Sequence, residues 1–305
     1  MMRGILLFTA ALVSTACADV NLHLKDGRIL PAKQLRRDKD SIVATLEIPA
    51  KEPGGPSTTG DFGFPLRDVF KLDFPKPAVL DTAPNLIADG KATEALAQLE
   101  PVIKFYSGFR DAPGSWWMEL VPVQIEALLA LRKDKEANDA SEQFDRLSEN
   151  PEVKKFSKAF TAVARTRKGD HEAALPLYDE MAKETERMDI LGLVAANKGE
   201  SLVALADALA QKGEMEQAAV RYEEALLSFL RVPALYRMQR MYLPQALYGS
   251  ARTYFGMQDF DRARRALKEL SEQFPATPEA KAAPELSAKI EKLAALRGTP
   301  ASEKE

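Results

Sequence analysis

The feature that most constrains this chain is a pattern that returns five times between residues 80 and 275. Ala95, Ala137, Ala174, Ala218 and Ala263 hold equivalent places just after a turn, at steps of 42, 37, 44 and 45 residues. The clearest unit runs through Leu202, Ala206, Leu209, Gly213, Ala218, Tyr222 and Ala225. Its successor runs through Leu247, Ala251, Tyr254, Phe260, Ala263, Leu267 and Pro275. Ala162, Gly169, Ala174 and Tyr178 mark an earlier unit, and weaker ones centre on Gly90 and on Arg132. Apolar and small residues spaced three and four apart make one face of a helix. A glycine such as Gly169 or Gly213 ends a helix by taking the left-handed conformation. The pattern predicts a mainly α protein, an α-solenoid of stacked helical hairpins over residues 78–297. Its last helix, 278–297, carries Ala283, Leu286, Ile290 and Leu293 on one stripe and Pro284 within it, and supplies the polar terminal cap that such arrays need. A mobile tail, 298–305, follows.

These spacings resemble the tetratricopeptide repeat. In that family a small residue midway along the first helix lets the second approach, and a small residue early in the return helix receives its neighbour. Aromatic and aliphatic side chains fill the space between. The steps here exceed the family's usual ~34 residues, so longer helices or loops such as 107–115 are expected. The resemblance implies that first helices line a concave face where peptides bind. On the helix before Gly256, the residues Met241, Gln245, Tyr248, Arg252 and Phe255 share one stripe opposite Leu247, Ala251 and Tyr254. Tyr, Arg and Met are interface residues, so this stripe is a candidate partner site, with cover by a preceding helix as the alternative. Arg231, Arg237 and Arg240, with Tyr236 and Tyr242 among them, make a local basic patch suited to an acidic peptide or glycan, or to solvent. Trp116 and Trp117 point about 100° apart on a helix. One is expected to pack against the first unit, and the other to pack under the 107–115 loop or to meet a partner.

Before the helices the period is two. Val20, Leu22 and Leu24 alternate with polar residues, Asp26-Gly27 signals a hairpin, and Ser41–Ile48 is rich in β-branched residues. Return strands are expected at 28–33, 62–66 and 69–74, with a Pro/Gly-rich loop at 49–60. Five short strands within 19–77 suggest a small all-β, barrel-like module. The run Leu24-Lys25-Asp26-Gly27-Arg28, with Pro65-Leu66-Arg67-Asp68-Val69 and Leu72-Asp73-Phe74 later, resembles small SH3-like or Sm-like barrels of bacterial envelope proteins.

Residues 1–18 read as a secretory leader: Arg3, a short apolar stretch, then Ala16-Cys17-Ala18 in a small-residue cleavage pattern. Cys17 is the chain's one cysteine. It is either a small residue of a cleavage site before Asp19 or an acylated lipoprotein cysteine, since Ser14-Thr15-Ala16-Cys17 resembles that signal without its usual leucine. Export to the periplasm or beyond is expected, with membrane attachment only through such an anchor.

The chain's 42 basic and 45 acidic residues give a net charge of -3 and are intermixed, which argues against nucleic acid as a partner. Its 46% hydrophobic residues suffice for a folded core.

Motifs for chemistry are scarce. His171-Glu172 lacks the second histidine of a zinc helix, because Leu175 stands there. His23 points outward on a strand. Gly90-Lys91 is followed by Ala92 rather than a hydroxyl residue, so it is no phosphate loop. Asp61-Phe62-Gly63 has no other kinase motif around it. Glu223 and Glu224, adjacent on a helix, do not face one another. No catalytic, cofactor or metal site is expected. The leading expectation is a non-catalytic protein–protein scaffold of the bacterial cell envelope. The last repeat's Asp259-Phe260-Asp261 and Gln273-Phe274-Pro275-Ala276-Thr277 look like repeats of envelope assembly proteins. The alternative is a periplasmic module that binds a small ligand or glycan where β-module and array join.

Overall fold

The computed structural model describes residues 20–50, 56–148 and 150–298. The predicted leader with Cys17, and residues 299–305 of the predicted tail, lie outside the described residues. The chain divides into two compact units. One runs up to Pro75 and adds Asp111–Ser115; the other comprises Lys76–Arg110 and everything from Trp116 on.

The first unit is a five-stranded antiparallel sheet of β1 (Val20–Leu24), β2 (Ile29–Asp38), β3 (Ser41–Ile48), β4 (Thr58–Pro65) and β5 (Val69–Asp73), in the order β4-β3-β2-β1-β5. The alternation puts Leu22, Ala32, Ile42, Ala44 and Leu72 at zero exposure on one face. The β1–β2 turn uses Gly27 at φ 89°, with the Asp26 carboxylate accepting from the Arg28 backbone N–H at 3.1 Å. β2 is longer than expected, because Leu35 and Arg37 continue the inward register past a bulge between Ala32 and Gln34. β4 begins at Thr58, inside the expected loop, since Gly60 pairs with Leu46 and a Cβ there would sit 2.9 Å from Ile48. β4 and β5 are the outer strands of the ladder order. The outer side of β5 is met by the segment 111–115, whose Pro113 carbonyl accepts from the Leu72 N–H at 2.8 Å. Only glycine fits at 114, where a Cβ would lie 2.0 Å from the Leu72 carbonyl oxygen.

The second unit is helical: α1 (Val79–Ala88), α2 (Ala92–Ser107), α3 (Trp117–Ala130), α4 (Asp134–Arg146), α5 (Pro151–Arg167), α6 (His171–Glu184), α7 (Met188–Gln211), α8 (Met215–Leu235), α9 (Leu243–Gly256), α10 (Phe260–Gln273) and α11 (Pro278–Gly298). They form five hairpins and a last helix, and all five turns share one geometry. Gly90, Arg132, Gly169, Gly213 and Gln258 each adopt positive φ two residues before the returning helix. The next residue donates back across each turn, as in Lys91 to Leu86, Lys133 to Leu128 and Asp170 to Arg165. That long bond is the Schellman closure of a helix end. The five equivalent alanines are all at 0–1% exposure. Arg132 and Gln258 take the left-handed conformation at a cost that glycine would avoid. Long helices, 24 residues in α7 and 21 in α8, widen the last two steps, and the connection 108–116 between α2 and α3 widens the first.

Candidate functional site

Odd-numbered helices meet along one face: α1 meets α3, α5 meets α7, and α9 meets both α7 and α11. Along this face runs a seam of paired polar groups. Glu126, the one charged residue in the apolar run 120–131, is 9% exposed on α3 and accepts from the Tyr242 hydroxyl at 3.0 Å. Burial pushes its carboxyl up to about 7, against the pull of the tyrosine hydrogen bond and of Arg167. Tyr242 reaches α3 from the one-turn 3-10 helix Arg240–Tyr242, resting where Gly192 of α7 leaves room; a Cβ there would be 2.9 Å from its ring. Arg240 donates to Asn85 at 3.0 Å and pairs with Asp89 at 3.4 Å, tying the linker after α8 to α1. Arg167, ending α5, donates to the Leu129 carbonyl at 3.2 Å and lies 3.5 Å from Asp134.

The stripe expected to bind a partner belongs to this seam. Arg252 spans two carboxylates of α7, Glu200 at 2.9 Å and Asp207 at 3.2 Å, and the Tyr222 hydroxyl of α8 donates to Asp207 at 2.6 Å. Burial raises the Glu200 carboxyl while Arg252 opposes the shift. Gln245 donates to Asn197 at 3.4 Å. Met241, Tyr248 and Phe255 are partly buried against the α9–α10–α11 core, and the Phe255 ring is 6.2 Å from that of Phe260. Trp117 is buried, 5.0 Å from Phe144, and Trp116 is half-buried at the start of α3. Of the basic patch, Tyr242 is buried and Arg240 is tied to α1 while still exposed, and Arg231 and Arg237 are exposed.

His23 and His171 belong to different units. His171 Nδ1 lies 3.5 Å from the Ser201 hydroxyl, which continues to Thr166 at 2.8 Å and on to the Tyr178 hydroxyl at 2.9 Å, a chain that joins α5, α6 and α7. His23, expected on the surface, is half-buried, and its Nε2 has no hydrogen-bond partner among the described residues. Among the described residues no group of three His, Cys, Asp or Glu could hold a metal ion. Glu223 and Glu224 are both exposed, and Glu224 pairs with Arg221 at 2.7 Å.

The even-numbered helices present something different. A groove of about 1120 Å³ runs between α6 and α8, floored by Leu205, Ala208 and Leu209 of α7. A recess of about 220 Å³ continues it beside Leu202 and Leu227, sharing Leu175 and Asp179 with it. Val220 and Leu227 of α8 are 56% and 64% exposed. Sequence reasoning missed this groove because it depends on the lengths of α7 and α8 and on which helices lie side by side. The spacing of Val220, Leu227 and Arg231 was the signal to be had.

Fold and site together define a mainly helical, hairpin-built protein with an N-terminal antiparallel sheet. Compared with models of protein families the chain matches none, and no curated protein matches it in sequence. Among the described residues no helix is long and apolar enough to cross a membrane.

Proposed function

We propose that this chain is a non-catalytic interaction scaffold of the bacterial cell envelope, a tetratricopeptide-like solenoid that takes a partner protein or peptide on its helical array. The observation that carries the reading is the shared turn: five positive-φ residues, each two positions before a returning helix that buries an alanine. Repetition of one hairpin builds extended surface rather than a single enclosed pocket, and extended surface suits a polymer ligand. The leader pattern supports export, and the sheet module's resemblance to envelope barrels agrees with that location.

Arg252 and Gln245 are committed to α7, so the inner stripe offers a partner chiefly Tyr248 and Phe255. The groove between α6 and α8 adds a second surface, with the exposed Val220 and Leu227 on it. The test is crosslinking of the full chain in its native envelope fraction, followed by mass spectrometry of partners and of the mature N-terminus. A reproducible protein partner is the expected result, with an N-terminus at Asp19 or an acylated Cys17. Recovery of the chain alone, together with a soluble small molecule that raises its Tm, would replace the scaffold with a ligand carrier.

A further inference from the structure

We propose that the groove between α6 and α8 docks an amphipathic helix of a partner protein, presented apolar stripe downward onto α7. The inference rests on the scaffold reading and names the surface and the kind of partner. Size comes first. At about 1120 Å³, with a further 220 Å³ in line, the groove exceeds the usual volume of a small-molecule site. Along α8 it extends from Gln217 to Arg231, roughly 20 Å or four helical turns.

Backbone chemistry then selects the form of the occupant. Both walls and the floor are helices, whose amides and carbonyls are already hydrogen-bonded within the helix, so the groove offers no free sheet edge. An extended strand lying there would find no backbone edge to pair with and would depend on side chains and water for its own amides and carbonyls. A helix arrives with them satisfied and needs only side-chain complementarity. Val220 and Leu227, seven residues apart, project from the same face of α8 and are more than half exposed. Leu175 and Pro176 of α6 face them across the half-buried Leu205 and Leu209.

Charge sets the polarity of the partner. The α6 wall carries Glu172, Asp179, Glu180 and Glu184 against Lys183 alone. The α8 wall carries Arg221 and Arg231 against Glu224. Most of these pair already, Asp179 with Lys198, Glu180 and Glu184 with Lys158 of α5, and Arg221 with Glu224, but these ions keep contact with water and such pairs are weak enough to re-form across an interface. With Lys198 and Lys212 included, the groove holds five acidic and five basic groups. A balanced surface excludes a phosphate backbone or an anionic bilayer as the occupant. The fitting helix has its apolar stripe flanked by Lys and Arg on the side of α6 and by Asp and Glu on the side of α8.

The experiment places a photoreactive side chain at the position of Leu227 in one version of the full chain and at that of Tyr248 in another. Both are irradiated in the native envelope fraction. The expected outcome is one partner crosslinked from position 227, through a segment with the stated apolar stripe and charged flanks. Its yield falls at least tenfold when Val220→Glu and Leu227→Glu are combined, with circular dichroism and Tm unchanged. Crosslinking from position 248 only would overturn the groove and leave the scaffold reading standing. A crosslink from 227 to a second copy of this chain, or to an extended partner segment, would overturn the proposal in favour of self-association or strand capture. Silence from both positions would remove the scaffold reading as well.

Discussion

The two faces of the helical unit are made from the same hairpin and differ in what fills them. On the odd-numbered side, helices meet through charge and hydroxyl pairs that close on one another: Glu126 with Tyr242, Arg252 with Glu200 and Asp207. On the even-numbered side, α6 and α8 stand apart over α7 and leave Val220 and Leu227 open to water. A surface whose polar groups are already paired has little left to offer a ligand, because a ligand must outcompete the partners in place. The groove pairs its charges too, but Val220 and Leu227 within it still have apolar burial to gain. Stability is expected from the seam, and the groove is the face proposed for recognition; that contrast can be broken at several strengths.

The largest effect is expected at Phe229. This fully buried ring of α8 enters the space left by Gly199 of α7 and Gly249 of α9, where added Cβ atoms would lie 2.7 and 2.2 Å from it. It is the apolar peg on which α7, α8 and α9 converge. Phe229→Ala should cost about 3–5 kcal/mol in urea unfolding, as large buried aromatics do. Gly249→Ala should cost about 1–3 kcal/mol by overpacking. A loss under ~1 kcal/mol for Phe229→Ala, far below the range for buried aromatics, would mean that the three helices do not pack as described.

Next comes the pH dependence of the seam. Glu126 has its carboxyl raised to about 7 from an ordinary 4.5. The folded chain therefore holds this proton more tightly than the unfolded chain. The favourable contribution is complete below about 4.5, declines as the unfolded chain ionises, and is gone above about 7. At 1.36 kcal/mol per pH unit the difference amounts to about 3 kcal/mol. The Glu126→Gln protein lacks this slope. Subtracting its unfolding free energy from that of the parent at pH 4, 5.5, 7 and 8 isolates Glu126 from carboxylates such as Glu47, whose lowered pKa acts in the opposite direction. Parallel curves would show that Glu126 is not desolvated.

Arg252→Met should cost about 1–2 kcal/mol, because Glu200 and Asp207 lose a charged donor yet keep partial access to water. The double change with Asp207→Asn should recover part of that loss. Simple additivity of the two would indicate that the bridge between α7 and α9 does not form.

How much of this the sequence discloses depends on range. Turn geometry is local, so Gly169 and Gly213 announce it, and the alanine three places into each returning helix marks the same site even where Arg132 or Gln258 replaces the glycine. The alternation of β1 and the Asp26-Gly27 turn are local too. Tyr242 meets Glu126 across 116 positions, and no periodicity encodes that meeting; the lone charge within 120–131 hints only that Glu126 needs a partner. Helical spacing puts Met241, Gln245, Tyr248, Arg252 and Phe255 on one stripe, but what faces that stripe is a property of α7 and α11. The segment 111–115 joins the sheet through the Leu72–Pro113 backbone bond, Gly114 and the Asp111–Arg37 ion pair, which leave no hydrophobic pattern to detect.

The smallest effect on stability is expected where the proposed binding effect is greatest. Leu227→Glu replaces a side chain that is 64% exposed. It removes little buried area, and surface changes of this kind fall within about 0.5 kcal/mol. Urea unfolding of the parent and the variant should therefore coincide. A destabilisation above ~1 kcal/mol, well outside that surface range, would mean that Leu227 is covered in the folded chain and that the groove is part of the core. Coincidence of the curves, with capture of the partner helix lost, would separate the two faces: the seam senses acid and mutation through folding, and the groove senses them through binding alone.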